Sequence, residues 1–179
     1  MKKLIFKISL IFIFSIFGHI HLYSQSPDGI KNRIVEIKKW YSEIQNIGLI
    51  NCKSKSFIKY EDPFNSNARM PFDQTVNICR LNNIYLVRKA QYQGYEWSED
   101  VFIYSKNEKI FFVFVKGSAE GYSYEKRFYC NSEEKIIKQL DQETEYGKDD
   151  NKENIENKTN LYKDIDKIID INIFNRIYN

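Results

Sequence analysis

The apolar residues between positions 26 and 48 recur at the spacing of an α-helix. Ser26 and Pro27 favour a helix start, and Gly48 is suited to a helix end. The apolar positions lie three or four residues apart and so share one side of a helix: Ile30, Ile34, Ile37, Tyr41, Ile44 and Ile47. The pattern predicts a helix of about 18 residues that packs this stripe against a sheet.

From Gln74 onward the apolar period changes to two, which is typical of half-buried strands. Asn82-Asn83 and Asn107 predict tight turns, because Asn tolerates a left-handed backbone. Residues 116–121 are interpreted as a flexible loop. The predicted strands cover 74–79, 84–92, 95–104, 110–115, 122–130 and 135–140. The strand over 110–115 is apolar on both faces, so we expect it to be central.

The rest of the chain frames this region. Residues 49–73 are interpreted as loop-rich, with a possible short strand over 56–60. Residues 142–160 are polar and predict a linker, whereas the apolar spacing within 161–179 predicts a C-terminal helix. The predicted fold class is α+β. An antiparallel β-meander of about five to six strands carries the N-terminal helix on one face, within 25–141.

The first residues have the composition of a signal peptide. Lys2, Lys3 and Lys7 precede the apolar run 8–17, which is shorter than the roughly 20 residues that a membrane-spanning helix needs. Ser24 is a small residue at which a signal peptidase could cut, so we expect 1–24 to be removed. An uncleaved membrane anchor is the alternative.

Removal of residues 1–24 changes which chemistry is possible. Both histidines, His19 and His21, would be lost, and catalysis that depends on imidazole would be lost with them. Lys+Arg would fall from 27 to 24 and equal Asp+Glu, which is 24. A neutral chain makes nucleic acid a poor partner, because binding phosphates requires a basic surface.

The three cysteines, Cys52, Cys79 and Cys130, permit one internal disulfide and leave one thiol over. Each of the three pairings stays open, because closure entropy varies too slowly with loop length to choose among them. A small buried apolar residue is an equally good interpretation of each cysteine.

Residues 99–117, EDVFIYSKNEKIFFVFVKG, are followed at 125–141 by EKRFYCNSEEKIIKQLD. These segments, with Trp40-Tyr41 in the preceding helix, resemble an uncharacterised family of small secreted bacterial proteins. The resemblance covers roughly residues 28 to 141. It implies an N-terminal helix with an aromatic β-meander, and it implies no activity.

Two groups of side chains are candidates for function. Glu96, Glu99 and Asp100 could supply a glycosidase pair of carboxylates, although charges at a strand end are the simpler interpretation. An aromatic platform for a glycan or a peptide, with an anchoring arginine, forms the second group. Its members are Tyr95, Trp97, Tyr122, Tyr124 and Arg127. The same aromatic residues fit the core face of a sheet.

We expect an exported, non-catalytic binding protein, periplasmic or secreted, that acts through protein–protein contact as an inhibitor or an immunity protein does. The alternatives are a carboxylate-dependent enzyme acting on glycans and a structural component of the envelope. The expected partner is another protein or a cell-envelope component. We expect no cofactor, no metal, no nucleic acid and no stable membrane span after cleavage.

Overall fold

The computed structural model describes residues 26–61, 70–145, 165 and 171–177. The predicted signal peptide, 1–24, lies outside the described residues. The chain divides into two units, Met1–Asn32 and Arg33–Asn179. In the first unit the described residues are the start of a helix, where the Gly29 amide donates to Ser26 Oγ at 3.2 Å.

The helix α1 covers Pro27–Ile47. Ser26 acts as its N-terminal cap, as predicted. Gly48 follows the last residue with a φ of +77° and donates its amide to the Ile44 carbonyl at 3.0 Å. This left-handed conformation is the usual way for a glycine to end a helix.

In the described part of the chain, seven strands form one antiparallel sheet whose spatial order is the order of the chain. The α+β class and the antiparallel meander are confirmed, but the predicted count of five to six strands is too low. The strands are β1 (Cys52–Glu61), β2 (Met70–Leu81), β3 (Tyr85–Gln93), β4 (Trp97–Lys106), β5 (Lys109–Ala119), β6 (Tyr122–Cys130) and β7 (Ile136–Glu145).

The extra strand is β1, which contains the possible short strand predicted over 56–60 and extends through much of the region interpreted as loop-rich. Its sequence, CKSKSFIKYE, is mostly polar, which suits a strand at the edge of the described sheet, where β2 is its neighbour. The strands also run further than predicted. Residues 116–119 belong to β5 instead of a flexible loop, and β7 continues to Glu145, into the predicted linker 142–160.

The hairpin turns use residues with a left-handed backbone. Asn82 and Asn83 have φ values of 49° and 56°, and Asn107 has 48°. Two successive positive φ angles define the turn whose twist matches that of the paired strands. The predicted asparagine turns are therefore the ones that connect β2 to β3 and β4 to β5.

The face of the sheet that α1 covers, here the helix face, is aromatic. Trp40 packs against Phe111 with ring centroids 5.2 Å apart, and Tyr41 packs against Phe112 at 5.4 Å. Two consecutive phenylalanines can face the same helix because the register shifts after Tyr104, which leaves Phe111 as an inserted residue. Tyr85 on β3 donates a hydrogen bond to the Glu43 carboxylate of α1.

The other side of the sheet, here the opposite face, carries an aliphatic core. Val76, Val101 and Val113 belong to it, as do Ile173 and Phe174 from the C-terminal segment. A C-terminal α-helix over 161–179 was the wrong prediction, because the described part is a 3₁₀ helix, Ile171–Ile177. Apolar spacing of three or four residues does not distinguish these two helices over so short a stretch.

Cys52 and Cys79 form a disulfide between directly opposed residues of β1 and β2, with Cα atoms 4.2 Å apart. Cys130 is the free cysteine among the described residues and is fully buried in the opposite face. Burial raises the pKa of the Cys130 thiol to about 12. A buried, protonated thiol is chemically inert.

No helix in the described part of the chain combines the length and the apolar character that crossing a bilayer requires.

Replacing both Cys52 and Cys79 with alanine is expected to lower the free energy of unfolding by about 3 kcal/mol, because the unfolded chain regains the freedom of the closed loop. Urea unfolding monitored by circular dichroism measures the loss. In the unchanged protein a thiol reagent should detect no thiol before unfolding and one afterwards. Rapid labelling of Cys130 in the folded state would contradict its buried position.

Stability is expected to fall as the pH rises from about 10 to 12. Burial, reinforced by the hydrogen bond to Glu43, raises the pKa of Tyr85 from its ordinary value of 10 to about 12. The stabilisation is therefore complete below pH 10 and is lost as the pH approaches 12. Unfolding by urea at stepped pH should show a shallower alkaline loss for Tyr85→Phe. An identical loss in both proteins would exclude a contribution from Tyr85.

Candidate functional site

The helix α1 contacts one half of the helix face, and the other half carries a cleft of about 530 Å³. Polar side chains from β2 to β6 dominate its lining, and we call it the polar cleft. It is lined by Asp73, Thr75, Gln91, Tyr92, Gln93, Ser98, Asp100, Lys116, Gly117, Ser118, Ser123, Tyr124 and Glu125. Strand alternation places most of these residues on the helix face, because cross-strand partners point to the same face. Tyr92, Gly117 and Tyr124 line the cleft from register positions of the opposite face.

Two cross-strand rows supply most of the polar cleft. In one row, Gln91 on β3 opposes Asp100, Asp100 opposes Lys116, and Lys116 opposes Glu125 on β6. The second row is built from short hydroxyl side chains at the neighbouring register position. Its members on β4, β5 and β6 are Ser98, Ser118 and Ser123.

Asp100 is the electrostatic centre of the polar cleft. Its Oδ2 lies 3.4 Å from Lys89 Nζ and 3.8 Å from Lys116 Nζ. The Lys116 side chain is half exposed, whereas the Asp100 side chain is about one-fifth exposed. An acid between two bases gives the cleft alternating charge rather than a single sign, which suits a partner with both kinds of charge.

Two hydroxyl groups in the second row form a hydrogen bond with each other. Ser98 Oγ and Ser118 Oγ lie 3.1 Å apart and share a hydrogen bond across β4 and β5. On the same face, Ser56 Oγ and Thr75 Oγ1 lie 2.9 Å apart. Because these serine and threonine side chains are short, they project little from the sheet, and a partner can approach the backbone closely.

The predicted aromatic platform is divided between the opposite face and a hairpin. Trp97, Tyr122 and Tyr124 share the opposite face, since Trp97 and Tyr122 both pair with Ala119 of β5. Tyr122 and Tyr124 have ring centroids 6.2 Å apart. Tyr95 lies between β3 and β4 and is 87% exposed.

Trp97 packs inward and contributes little free surface. Its ring lies 5.6 Å from that of Phe72, centroid to centroid, and Phe72 also approaches Tyr92 at 6.5 Å. A side chain at Gly94 would collide with the indole. The core interpretation of this tryptophan therefore accounts for its position.

Tyr124 and Glu99 interact with each other across β5. The Tyr124 hydroxyl donates to Glu99 Oε2 at 2.5 Å, and burial, reinforced by this bond, raises the pKa of Tyr124. Gly117 makes room for the ring, since a Cβ there would lie 2.5 Å from Tyr124 Cζ. The glycine therefore fixes the position of both predicted side chains.

Arg127 lies on the helix face, whereas Tyr122 and Tyr124 lie on the opposite face. Side chains alternate along β6, and Arg127 is an odd number of residues away from both tyrosines. Its guanidinium carbon is 5.5 Å from the Phe114 ring centroid, and its Nη2 pairs with Glu125. The five predicted binding residues therefore do not converge on one surface.

The three predicted carboxylates do not converge either. Glu99 and Asp100 are consecutive strand residues and point to opposite faces. Glu96 is exposed in the bend before β4. A glycosidase needs two carboxyl groups on either side of one bond, and Glu99 and Asp100 do not provide that geometry.

Sequence reasoning missed most of the polar cleft. Gln91, Ser98, Ser118 and Ser123 are small or neutral and match no catalytic motif. The available signal was the run of polar side chains at alternate positions of three consecutive strands. Aligning those strands in register would have brought the positions together.

In the described part of the chain, no group of three His, Cys, Asp or Glu side chains is arranged to hold a metal ion.

Comparisons with known proteins returned no matching family model, no matching curated protein and no matching solved structure.

Gly117→Ala is expected to lower the free energy of unfolding by about 1–3 kcal/mol, the usual range for forcing extra atoms into a packed site. The added Cβ would also lie 2.7 Å from the Ser98 carbonyl, which cannot move freely. Thermal unfolding of the variant provides the measurement. Ser118→Ala on the same strand is the control, and equal stability of the two variants would contradict the argument.

Proposed function

We propose that this chain is an exported, non-catalytic binding protein whose polar cleft contacts a second protein. The single observation that supports the proposal most is the polar cleft itself, which lies on the helix face beyond the residues that α1 contacts. There, β2 to β6 present a continuous polar surface beside the half that α1 packs against. Such a surface is stable in water, and among the described residues it is open to contact with a partner.

The composition of this end of the sheet favours a protein partner. Tyr95 lies in the hairpin between β3 and β4, at the cleft end of the sheet, and is 87% exposed. Tyrosine is enriched at protein interfaces because it combines apolar area with a hydroxyl group. The alternating charges of Lys89, Asp100 and Lys116 would favour a partner with a complementary pattern.

The two alternatives have weaker support. An enzyme acting on glycans needs a convergent pair of carboxylates, and Asp100 is already held between two lysines. A structural envelope component would need an extended apolar or repetitive surface. The polar cleft instead offers individually placed charges, which suit recognition of one partner.

The proposal is tested by placing a photoreactive amino acid at Ser118, inside the polar cleft, and separately at Lys39, on the exposed side of α1. Irradiation of the native compartment should give one discrete protein adduct from Ser118 and none from Lys39. Intact-mass analysis of the same preparation tests export, and the expected chain begins at Gln25.

The adduct partner is then purified and its affinity measured by calorimetry. Lys116→Glu should weaken binding about tenfold or more, because it reverses a charge beside Asp100, whereas the matched change Lys39→Glu should have no effect. Equal affinity of both variants would refute the role of the cleft. Recovery of a polysaccharide alone, or sedimentation with the cell wall without a protein adduct, would support the alternatives.

A further inference from the structure

A second, smaller concavity lies between α1 and strands β5 and β6, with a volume of about 220 Å³. We call it the α1 pocket. It is lined by Ile37, Lys38, Tyr41, Phe112, Phe114, Arg127 and Tyr129. The proposed function of the polar cleft makes no use of the α1 pocket.

The floor of the α1 pocket is apolar and closely packed. Ile37 and Phe112 are 1% and 5% exposed. Tyr41 meets Phe112 edge to face, at an interplanar angle of 71°. Phe112 also contacts Tyr129, with ring centroids 5.1 Å apart. Such a floor favours an apolar group of a ligand.

Tyr129 is the anomaly of this pocket. It is 6% exposed, yet its hydroxyl makes no hydrogen bond to any residue in the described part of the chain. Buried tyrosine hydroxyls usually have a partner, because leaving one unsatisfied costs free energy. Burial also raises the pKa of Tyr129, so the hydroxyl keeps its proton and can donate.

The rim of the α1 pocket is cationic. The Arg127 guanidinium lies over the Phe114 ring, and its Nη2 donates a hydrogen bond to the Glu125 carboxylate. The other N–H groups of the guanidinium remain as donors for further contacts. Lys38 is exposed and forms no ion pair with another described residue. Two cations and a phenol donor around an apolar floor form a complement to an anion that carries an apolar group.

We infer that the α1 pocket binds a carboxylate attached to a short apolar group. The volume is below that of ordinary ligand pockets, about 300–1,000 Å³, so it admits one side chain or a short aliphatic chain. Two sources have this chemistry. One is the apolar C-terminal residue of another protein, and the other is a free aliphatic carboxylic acid.

The test compares N-acetyl-leucine with its neutral amide, N-acetyl-leucinamide, by NMR titration of the full chain. The carboxylate is expected to bind about tenfold more tightly than the amide, since charge-assisted hydrogen bonds are the stronger ones. Amide signals of residues near Ile37 and Tyr129 should shift. Hexanoate is the third probe, and its affinity relative to N-acetyl-leucine distinguishes a free acid from a peptide terminus.

Arg127→Gln should abolish the preference for the carboxylate over the amide, and Tyr129→Phe should reduce it several-fold. Lys38→Gln, at an exposed position, provides a variant that preserves the fold, and Lys39→Gln is its matched control. The inference is overturned if neither carboxylate binds at millimolar concentration, or if acid and amide bind equally. It is also overturned if Lys38→Gln and Arg127→Gln both leave the affinity unchanged.

The test of the α1 pocket can be separated from the test of the polar cleft. Lys116→Glu should leave binding of N-acetyl-leucine unchanged, because Lys116 does not line the α1 pocket.

Discussion

The register of the seven strands is the constraint on which both candidate surfaces depend. Because side chains alternate along a strand, a slip of one residue would exchange the helix face and the opposite face. In the observed register, Tyr104, Phe112 and Tyr129 meet α1, while Asp100 and Lys116 occupy the same face beyond it. The Cys52–Cys79 disulfide joins two directly opposed residues and so holds the register of the edge pair.

The long elements could be predicted because each one has a single dominant signal. The α1 stripe, the asparagine turns and the doubly apolar segment 110–115 have the predicted structures. The strand β1 was predicted only as a possible short strand over 56–60, because an edge strand is stabilised by backbone pairing and carries few apolar residues. The C-terminal segment was misassigned because spacing alone does not separate an α-helix from a 3₁₀ helix.

The candidate sites were harder to predict than the fold. Tyr124 and Glu99 were recognised as polar and aromatic residues of interest, but the gap at Gly117 that brings them together depends on three strands lying side by side. Arg127 was recognised as an anchor and is found beside a pocket, on the face that its alternation assigns. The polar cleft forms because polar residues of different strands become cross-strand neighbours. The linear sequence does not show which residues will be paired in this way.

The strand order has a consequence for assembly. Each strand pairs with its neighbour in the chain, so hairpins can add one after another by closing short loops, which favours rapid folding. The C-terminal 3₁₀ helix breaks this local pattern, since it contacts β1 and β2 at the far end of the chain. Because the chain is synthesised from its N-terminus, the 3₁₀ helix that packs on the opposite face is the last described element to become available. The exposed lysines of β1 would discourage association between molecules in that interval.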